Sequence, residues 1–321
     1  MESVRRIRIM AGIVVVLGCQ LASAADDTQL NARAVSRLIA KGSADSLAAA
    51  ALLQYLHTSA RSESRALLAR ALEVEPERKD LTWLAYQLCS DVPDCDPKPY
   101  SERLRQLDPT NGAAWIGDIR YAAGPQRAAA VDVALTNIGT AGAFRLYFNP
   151  LIAALSPEVA AARHNGSGKV SRSELRQALI ETTGITTAVI LPALQFTTRA
   201  CKDAELQVAG RLEKCRGAAR ALANADTYFG EAVGLSLVQR LAPAESAEGR
   251  AATEQRRVLQ YRMEKASRVS LSSSMRSPAD YLQVLRAHER EQDVSLALLQ
   301  QAHIALDPPA SWVSSLPPHA R

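Results

Sequence analysis

The stretch Leu81-Thr-Trp-Leu-Ala-Tyr-Gln-Leu88 decides the fold. Its apolar residues Leu81, Leu84, Ala85 and Leu88 recur at i, i+3, i+4 and i+7, which is the spacing of one face of an α-helix. Helical spacing also relates Leu175, Ala178 and Leu179, and likewise Leu296, Leu299, His303 and Leu306. Amphipathic helices gain most of their stability by packing this face on neighbours. The pattern predicts several helices that cover one another.

Proline, glycine and capping residues divide the chain into helical segments. Ser43 is placed to cap one helix, Ser171 with Glu174 has the capping-box pattern, and Ser277 precedes a proline at a first helical position. Pro150 and Pro157 are expected to bracket a short helix in a less regular middle segment. Sustained alternation of apolar and polar residues is absent, so strands are not expected. The predicted class is all-α, with antiparallel helix pairs in a repeat-like array or a bundle.

Composition and charge narrow the possible partners. The chain has 321 residues, of which 47% are hydrophobic and 22% charged, and its net charge is +5. No basic stripe interleaved with aromatic residues occurs, so we expect no nucleic-acid partner. The longest apolar segment, 185–196, is interrupted by two threonines and Pro192. We therefore expect no transmembrane helix in the mature chain.

The N-terminus has the features of a secretory signal peptide. Arg5, Arg6 and Arg8 precede a short apolar run, and the small residues 22–24 follow it. Cleavage after Ala24 would leave a periplasmic or secreted protein. Val16-Leu17-Gly18-Cys19 also resembles a bacterial lipobox, which implies the alternative of a lipoprotein anchored through Cys19.

Four cysteines remain after cleavage, and in an exported chain an even number suggests two disulfides. Of three possible pairings, we favour Cys89 with Cys95 and Cys201 with Cys215. The second pair is possible only if the chain bends near Gly210, because a straight helix would separate its Cα atoms by roughly 21 Å. Another partner for Cys215, or free buried thiols, are the alternatives.

A spacing of about one helix pair recurs in the first half. Pro76 and Pro109 are 33 residues apart, and Trp83 and Trp115 are 32 apart. The segment at about 43–135 thus resembles a tetratricopeptide repeat, although Asp118 and Ile119 replace its Leu-Gly pair. The resemblance implies a stacked helical surface for a peptide or protein, and a generic bundle is the alternative.

This organisation predicts four regions and a binding role. They are a signal peptide at 1–24, a helical-repeat region at 25–140, a helical region packed on it at 141–306, and a Pro-rich tail at 307–321. The aromatic side chains expected to contact a protein or peptide partner in the cell envelope are Trp83, Tyr86, Trp115 and Tyr121.

Patterns typical of enzymes and metal sites are weak. The segment from His164 to Glu174 resembles an EF-hand calcium loop, but Arg163 stands where the first carboxylate belongs. Histidines at zinc-ligand spacing and a Gly-x-Ser-x-Gly sequence are both absent. We therefore expect no metal, cofactor or catalytic residues. The alternatives to a binding or scaffolding protein are a lipid-anchored assembly factor and an enzyme with scattered catalytic residues.

Overall fold

A computed structural model describes residues 24–55, 61–90, 92, 95–122, 124–164, 168–190, 193–243, 245–271 and 277–314. These residues are mainly α-helical, and among them β-structure is limited to two isolated bridges. The predicted all-α class is confirmed. Cys19 and all but the last residue of the predicted signal peptide lie outside the described residues.

The helices of the first half are separated by only a few residues in the sequence. They are α1 (Ala24–Lys41), α2 (Ala44–Tyr55), α3 (Arg61–Val74), α4 (Lys79–Ser90), α5 (Lys98–Leu107), α6 (Ile116–Tyr121), preceded by a 3₁₀ turn at Gly112–Trp115, and α7 (Arg127–Thr140). Neighbours along the chain pack together, notably α2 with α3, α4 with α5, and α6 with α7. Ser43 caps α2, since its hydroxyl accepts a hydrogen bond from the Ser46 amide at 3.2 Å. The relation of these helix pairs to a repeat family stays a prediction.

The second half of the chain forms helices that pack on those of the first half. They are α8 (Phe148–Arg163), α9 (Arg172–Ile190), α10 (Leu194–Ala200), α11 (Arg211–Leu222), α12 (Tyr228–Leu241), α13 (Ala247–Leu271), α14 (Pro278–Ala287) and α15 (Glu291–Gln301). Helix α8 packs on α1, α2 and α9, and α7 packs on α11. Leu52, Trp83 and Leu135 therefore belong to the same apolar core as Leu155 and Leu222. A domain division at residue 140 stays a prediction.

Two sequence-based expectations about helix boundaries are wrong. Pro150 and Pro157 do not bracket a short helix, because both lie within α8. Pro150 lies in the first turn of α8, where a backbone N–H has no acceptor within the helix. Pro157 removes one backbone hydrogen bond, and burial of α8 against its neighbours compensates for that loss. His303 does not share a helical face with Leu299. Helix α15 ends at Gln301, and His303 is exposed with a φ of 53°.

Both predicted disulfides are confirmed. The Cα atoms are 5.4 Å apart in Cys89–Cys95 and 5.7 Å apart in Cys201–Cys215. The required bend is present at Gly210, whose φ of 73° starts α11 in a new direction. Two disulfides are compatible with an oxidising compartment outside the cytosol.

The segment 172–200, which includes α9 and α10, is long and apolar enough to cross a membrane by length and composition alone. The mean hydropathy of an 18-residue window in this segment is high, although polar residues interrupt the apolar run. Half of the apolar window is buried inside the folded protein, where Ile185, Val189 and Ile190 belong to the core. A buried core helix accounts for the same composition.

Candidate binding face

The four aromatic residues that we expected to contact a partner differ in their solvent exposure. Trp83 is 0% exposed and Tyr86 is 3% exposed, with their ring centroids 5.5 Å apart. All residues of α4 from Asp80 to Cys89 are buried, because neighbouring helices cover it on every side. Burial also raises the pKa of Tyr86 above its usual value. Trp83 and Tyr86 are core residues, which corrects our expectation of a contact role for them.

Trp115 lies half-buried beside the surface. The Arg105 guanidinium carbon lies 3.6 Å from its ring centroid, within cation–π distance. Arg105 also donates a hydrogen bond of 2.6 Å to Asp118. The ring is covered by this arginine, so Trp115 supports the surface rather than forming its outermost layer.

Tyr121 at the end of α6 is the exposed member of the four, with 46% of its surface accessible. Helix α10 packs on α6 and brings Phe196 alongside. The guanidinium of Arg120 lies 5.4 Å from the Tyr121 ring centroid and 5.0 Å from that of Phe196. Arg199, one helical turn after Phe196, lies 5.9 Å from the Phe196 ring. We call Arg120, Tyr121, Phe196 and Arg199 the arginine–aromatic face.

Both disulfides border this face. On one side, Arg120 donates a hydrogen bond of 2.7 Å to the carbonyl of Ser90, the residue after Cys89. On the other side, Cys201 directly follows α10 and is bonded to Cys215 in α11. Cross-links at its two edges restrict the backbone that carries the face, so its side chains are arranged before any partner arrives.

A buried polar network joins the two halves of the chain. The connecting segment 141–147 runs between Asn111 and the loop at 225–226 through the two isolated bridges. The Asn111 side chain accepts hydrogen bonds from the Ala113 and Arg145 amides. Tyr147 adopts a φ of 56° and donates its hydroxyl to Asp108 at 2.6 Å. A non-glycine residue is held in this region only when its surroundings fix it. The segment is therefore structurally constrained.

Two carboxylates fix the elements beside this segment: Asp226 is buried and holds the segment itself, and half-buried Glu291 joins α15 to α12. Asp226 accepts hydrogen bonds of 2.9 Å from the amides of Leu146 and Tyr147. Glu291 accepts one of 2.7 Å from the Tyr228 amide at the start of α12. Burial raises the pKa of each to about 7, and for Glu291 the neighbouring charge of Asp226 acts in the same direction.

We expect Glu291→Gln to stabilise the protein at alkaline pH. A raised folded-state pKa means that the folded chain binds more protons than the unfolded chain between about pH 4 and 7. The charged form therefore costs stability as pH rises through this window, whereas glutamine keeps the acceptor for Tyr228 without the charge. Urea unfolding should show a gain of about 2 kcal/mol at pH 8 that nearly vanishes at pH 4.

The control is Glu289→Gln, since that side chain is 78% exposed. It should behave as the parent protein at both pH values. An equal effect of Glu291→Gln at pH 4 and pH 8 would contradict the assigned cause.

The loop that resembles an EF-hand contains a helix cap. The Ser171 amide donates to Glu174 at 2.7 Å, and the Glu174 amide donates to the Ser171 hydroxyl at 3.2 Å, so the predicted capping box is confirmed. The Ser171 backbone and His164 lower the pKa of Glu174 to about 2. Residues 165–167 lie outside the described part of the chain. The one carboxylate of the motif is therefore engaged in capping.

A separate open cleft of about 440 Å³ lies between α2, α8 and α14. Three carboxylates line it together with His288. Asp45 pairs with Arg78 at 3.0 Å and Glu158 with Lys41 at 2.7 Å. These carboxylates are thus held by cations rather than directed as a group at a ligand. Within the described ranges, no three His, Cys, Asp or Glu side chains are grouped so that they could hold a metal ion.

Comparison with known proteins gives no match. No family model, no curated protein and no solved structure is similar to this chain.

Sequence reasoning missed Phe196 and Arg199, which complete the face, Asp226, which holds the segment 141–147, and Glu291, which joins α15 to α12. Phe196 and Arg199 are at i and i+3, so their pairing within α10 was visible in the sequence. Their position beside Tyr121 was not, because it depends on how α10 packs on α6. The carboxylates gave no signal, since isolated acidic residues resemble solvated surface charge.

Proposed function

We propose that this protein is an exported bacterial helical protein that binds a protein or peptide partner in the cell envelope through the arginine–aromatic face. The observation that carries the proposal is an exposed Tyr121 grouped with Phe196 and two arginines on helices bordered by two disulfides. Tyrosine and arginine are enriched among the residues that dominate binding energy at protein interfaces.

The disulfides also support the export part of the proposal. They are compatible with an oxidising space, and the sequence of the first 24 residues is typical of a signal peptide. In the proposed maturation, cleavage after Ala24 releases the helical body into the periplasm or beyond. Lipidation of Cys19 would instead tether the same body to a membrane as an assembly factor, and mass spectrometry of the mature N-terminus distinguishes the two.

Replacement of Tyr121 tests the proposed face. Tyr121→Ala removes an aromatic side chain that is 46% exposed and lies outside the buried core, so the fold should be little affected while partner capture falls. We expect recovery of the partner from envelope extract to drop about tenfold, measured by quantitative mass spectrometry on full-length mature protein.

Ile180→Ala is the matched control, because Ile180 is a 61% exposed apolar residue on α9. It should leave recovery unchanged. Equal recovery with Tyr121→Ala and the parent protein would count against this face.

A further inference from the structure

The last two helices, α14 and α15, are attached to the rest of the protein by contacts outside the main apolar core. We propose that they form a detachable pair, docked at mildly acidic pH and released at mildly alkaline pH, because carboxylates at their junction with α12 lose protons and repel one another. The pair is distinct from the arginine–aromatic face, so this switch is a second property of the fold.

The main apolar core does not extend to α14 or α15. Among the described residues, the last buried member of that core in chain order is Leu259 of α13. A separate, smaller cluster joins the pair to α8 and α9, and its buried members are Ile152, Ala153, Leu179, Leu282, Leu285, Val294 and Leu298. Helix α15 also packs on α13. Elements with few core contacts can open locally while the rest of a protein stays folded.

Three carboxylates lie where α15 meets α12 and the loop before it. The Glu291 amide donates a hydrogen bond of 2.9 Å to the Asp226 carbonyl, which places these two residues side by side. The side chains of both accept hydrogen bonds from backbone amides, as described above. Glu231 of α12 accepts hydrogen bonds from Gln255 at 3.0 Å and from Gln292 of α15 at 2.7 Å. All these donors are neutral, so within the described chain no ion pair offsets the charge of the three carboxylates.

The arginines around this junction are bound to other groups or unpaired. Arg145 contacts both oxygens of Asp108 at 3.1 Å. Arg262 of α13 contacts Asp307 at 3.2 Å. Arg290, the residue before α15, forms no ion pair in the described part of the chain. These positive charges reduce the repulsion among the three carboxylates without contacting them.

The other ionisable side chains at the junction leave the repulsion in place. Glu289 and Asp293, beside the start of α15, add negative charge, and His288 precedes them. Burial raises the pKa of Tyr228 and of Tyr281 to about 12, so both phenols are neutral at mildly alkaline pH. The N-terminal ends of α12 and α15 attract the carboxylates and offset part of their repulsion.

The direction of the switch follows from the burial of two of these groups. Burial raises the pKa of Asp226 and of Glu291 to about 7, and for Glu291 the charge of Asp226 acts in the same direction. Once the pair is released, Glu291 is exposed to water and its pKa returns to about 4. The docked state therefore binds more protons than the released state between about pH 4 and 7. The equilibrium constant for release should thus rise by at least about tenfold between about pH 5 and 8.

Release would change two surfaces of the protein. It would uncover Ile152 and Ala153 on α8 and Leu179 on α9, which the pair covers. It would also remove the wall of the open cleft that is formed by Leu285 and Arg286 of α14. An apolar surface would thus be covered at acidic pH and accessible at alkaline pH.

Hydrogen–deuterium exchange of the full mature protein, measured by mass spectrometry, tests the switch. Labelling at about pH 5 and about pH 8 uses times scaled for the intrinsic exchange rate, and EDTA keeps divalent cations from bridging the carboxylates. At the higher pH, the protection of amides in α14 and α15 should fall by at least about tenfold. Amides of the buried helix α4 should keep their protection.

Glu291→Gln tests the assigned carboxylate. At the higher pH, the amides of the pair should be about tenfold more protected in this variant than in the parent protein, because glutamine cannot ionise. At the lower pH the two proteins should agree. Glu289→Gln is the matched control, since that side chain is 78% exposed, and it should follow the parent protein at both pH values. Circular dichroism shows whether each variant is folded.

Each outcome bears on the switch. A loss of protection that is confined to α14 and α15 and reduced by Glu291→Gln supports it. An equal loss in α4 would show global unfolding and would overturn it. Unchanged protection of the pair at the two pH values, or a loss that persists in full in Glu291→Gln, would overturn it as well.

Discussion

Gly234→Ala is expected to destabilise the protein by about 3 kcal/mol, because α12 crosses the end of α11 with backbone in direct contact. A Cβ at Gly234 would lie 2.1 Å from the Ala223 nitrogen and 2.3 Å from the Leu222 carbonyl carbon. Both are backbone atoms, so rotation of a side chain cannot relieve the clash. The helices would have to separate, and the adjacent core contacts would be lost with them. Urea unfolding followed by circular dichroism measures the loss.

Gly184→Ala is the control for this prediction. Gly184 lies in the middle of α9 on the exposed side of the helix, and an added Cβ there meets no atom within 4 Å. Alanine has the higher helix propensity, so this variant should gain about 1 kcal/mol. Equal effects of the two substitutions would show that the close approach of α11 and α12 is not as described.

Asp132→Ala is expected to cost about 3 kcal/mol, because it removes the main partner of a fully buried arginine. Arg211 is 0% exposed, and its Nε donates to Asp132 at 2.5 Å. Lys214 contacts the other Asp132 oxygen at 2.9 Å. Burial opposes ionisation of Asp132, but hydrogen bonds from Lys214 and Arg211 outweigh it and lower the pKa. The carboxylate is charged at neutral pH, and its loss leaves Arg211 with Glu205 at 3.4 Å and the Ala128 carbonyl.

The comparison is Glu254→Ala, which removes the partner of Arg257 on the surface of α13. Exposed ion pairs contribute little, so its unfolding midpoint should match that of the parent protein. Thermal unfolding at neutral pH measures both variants. A loss for Asp132→Ala no greater than that for Glu254→Ala would contradict the burial of the Arg211 pair.

Local patterns in the sequence predicted local structure well. The periodicity of Leu81 and Leu88 predicted a helix, Ser171 and Ser277 predicted caps, and the cysteine spacing predicted both disulfides. Each of these features depends on residues near one another in the chain. Pro157 was misjudged, because its effect on α8 depended on packing from distant helices.

The candidate site was predicted only in part, for a physical reason. The apolar spacing of α4 shows that one face is buried, but it does not show that other helices cover the remaining faces. Trp83 and Tyr86 were therefore predicted to contact a partner, although they lie in the core. Tyr121 proved exposed, whereas its neighbours Phe196 and Arg199 come from a helix more than 70 residues later. Long-range packing of this kind leaves no local signal.

Site-specific photo-crosslinking in intact cells tests the central claim most directly. Tyr121 is replaced by a photoreactive phenylalanine analogue, and Ile180 is replaced in the same way as a reference for exposed surface elsewhere. If the face binds a partner, position 121 gives a discrete adduct, absent from position 180, in which mass spectrometry identifies a protein of the cell envelope. Adducts from position 180 alone, or from neither position with the protein folded and exported, would contradict it.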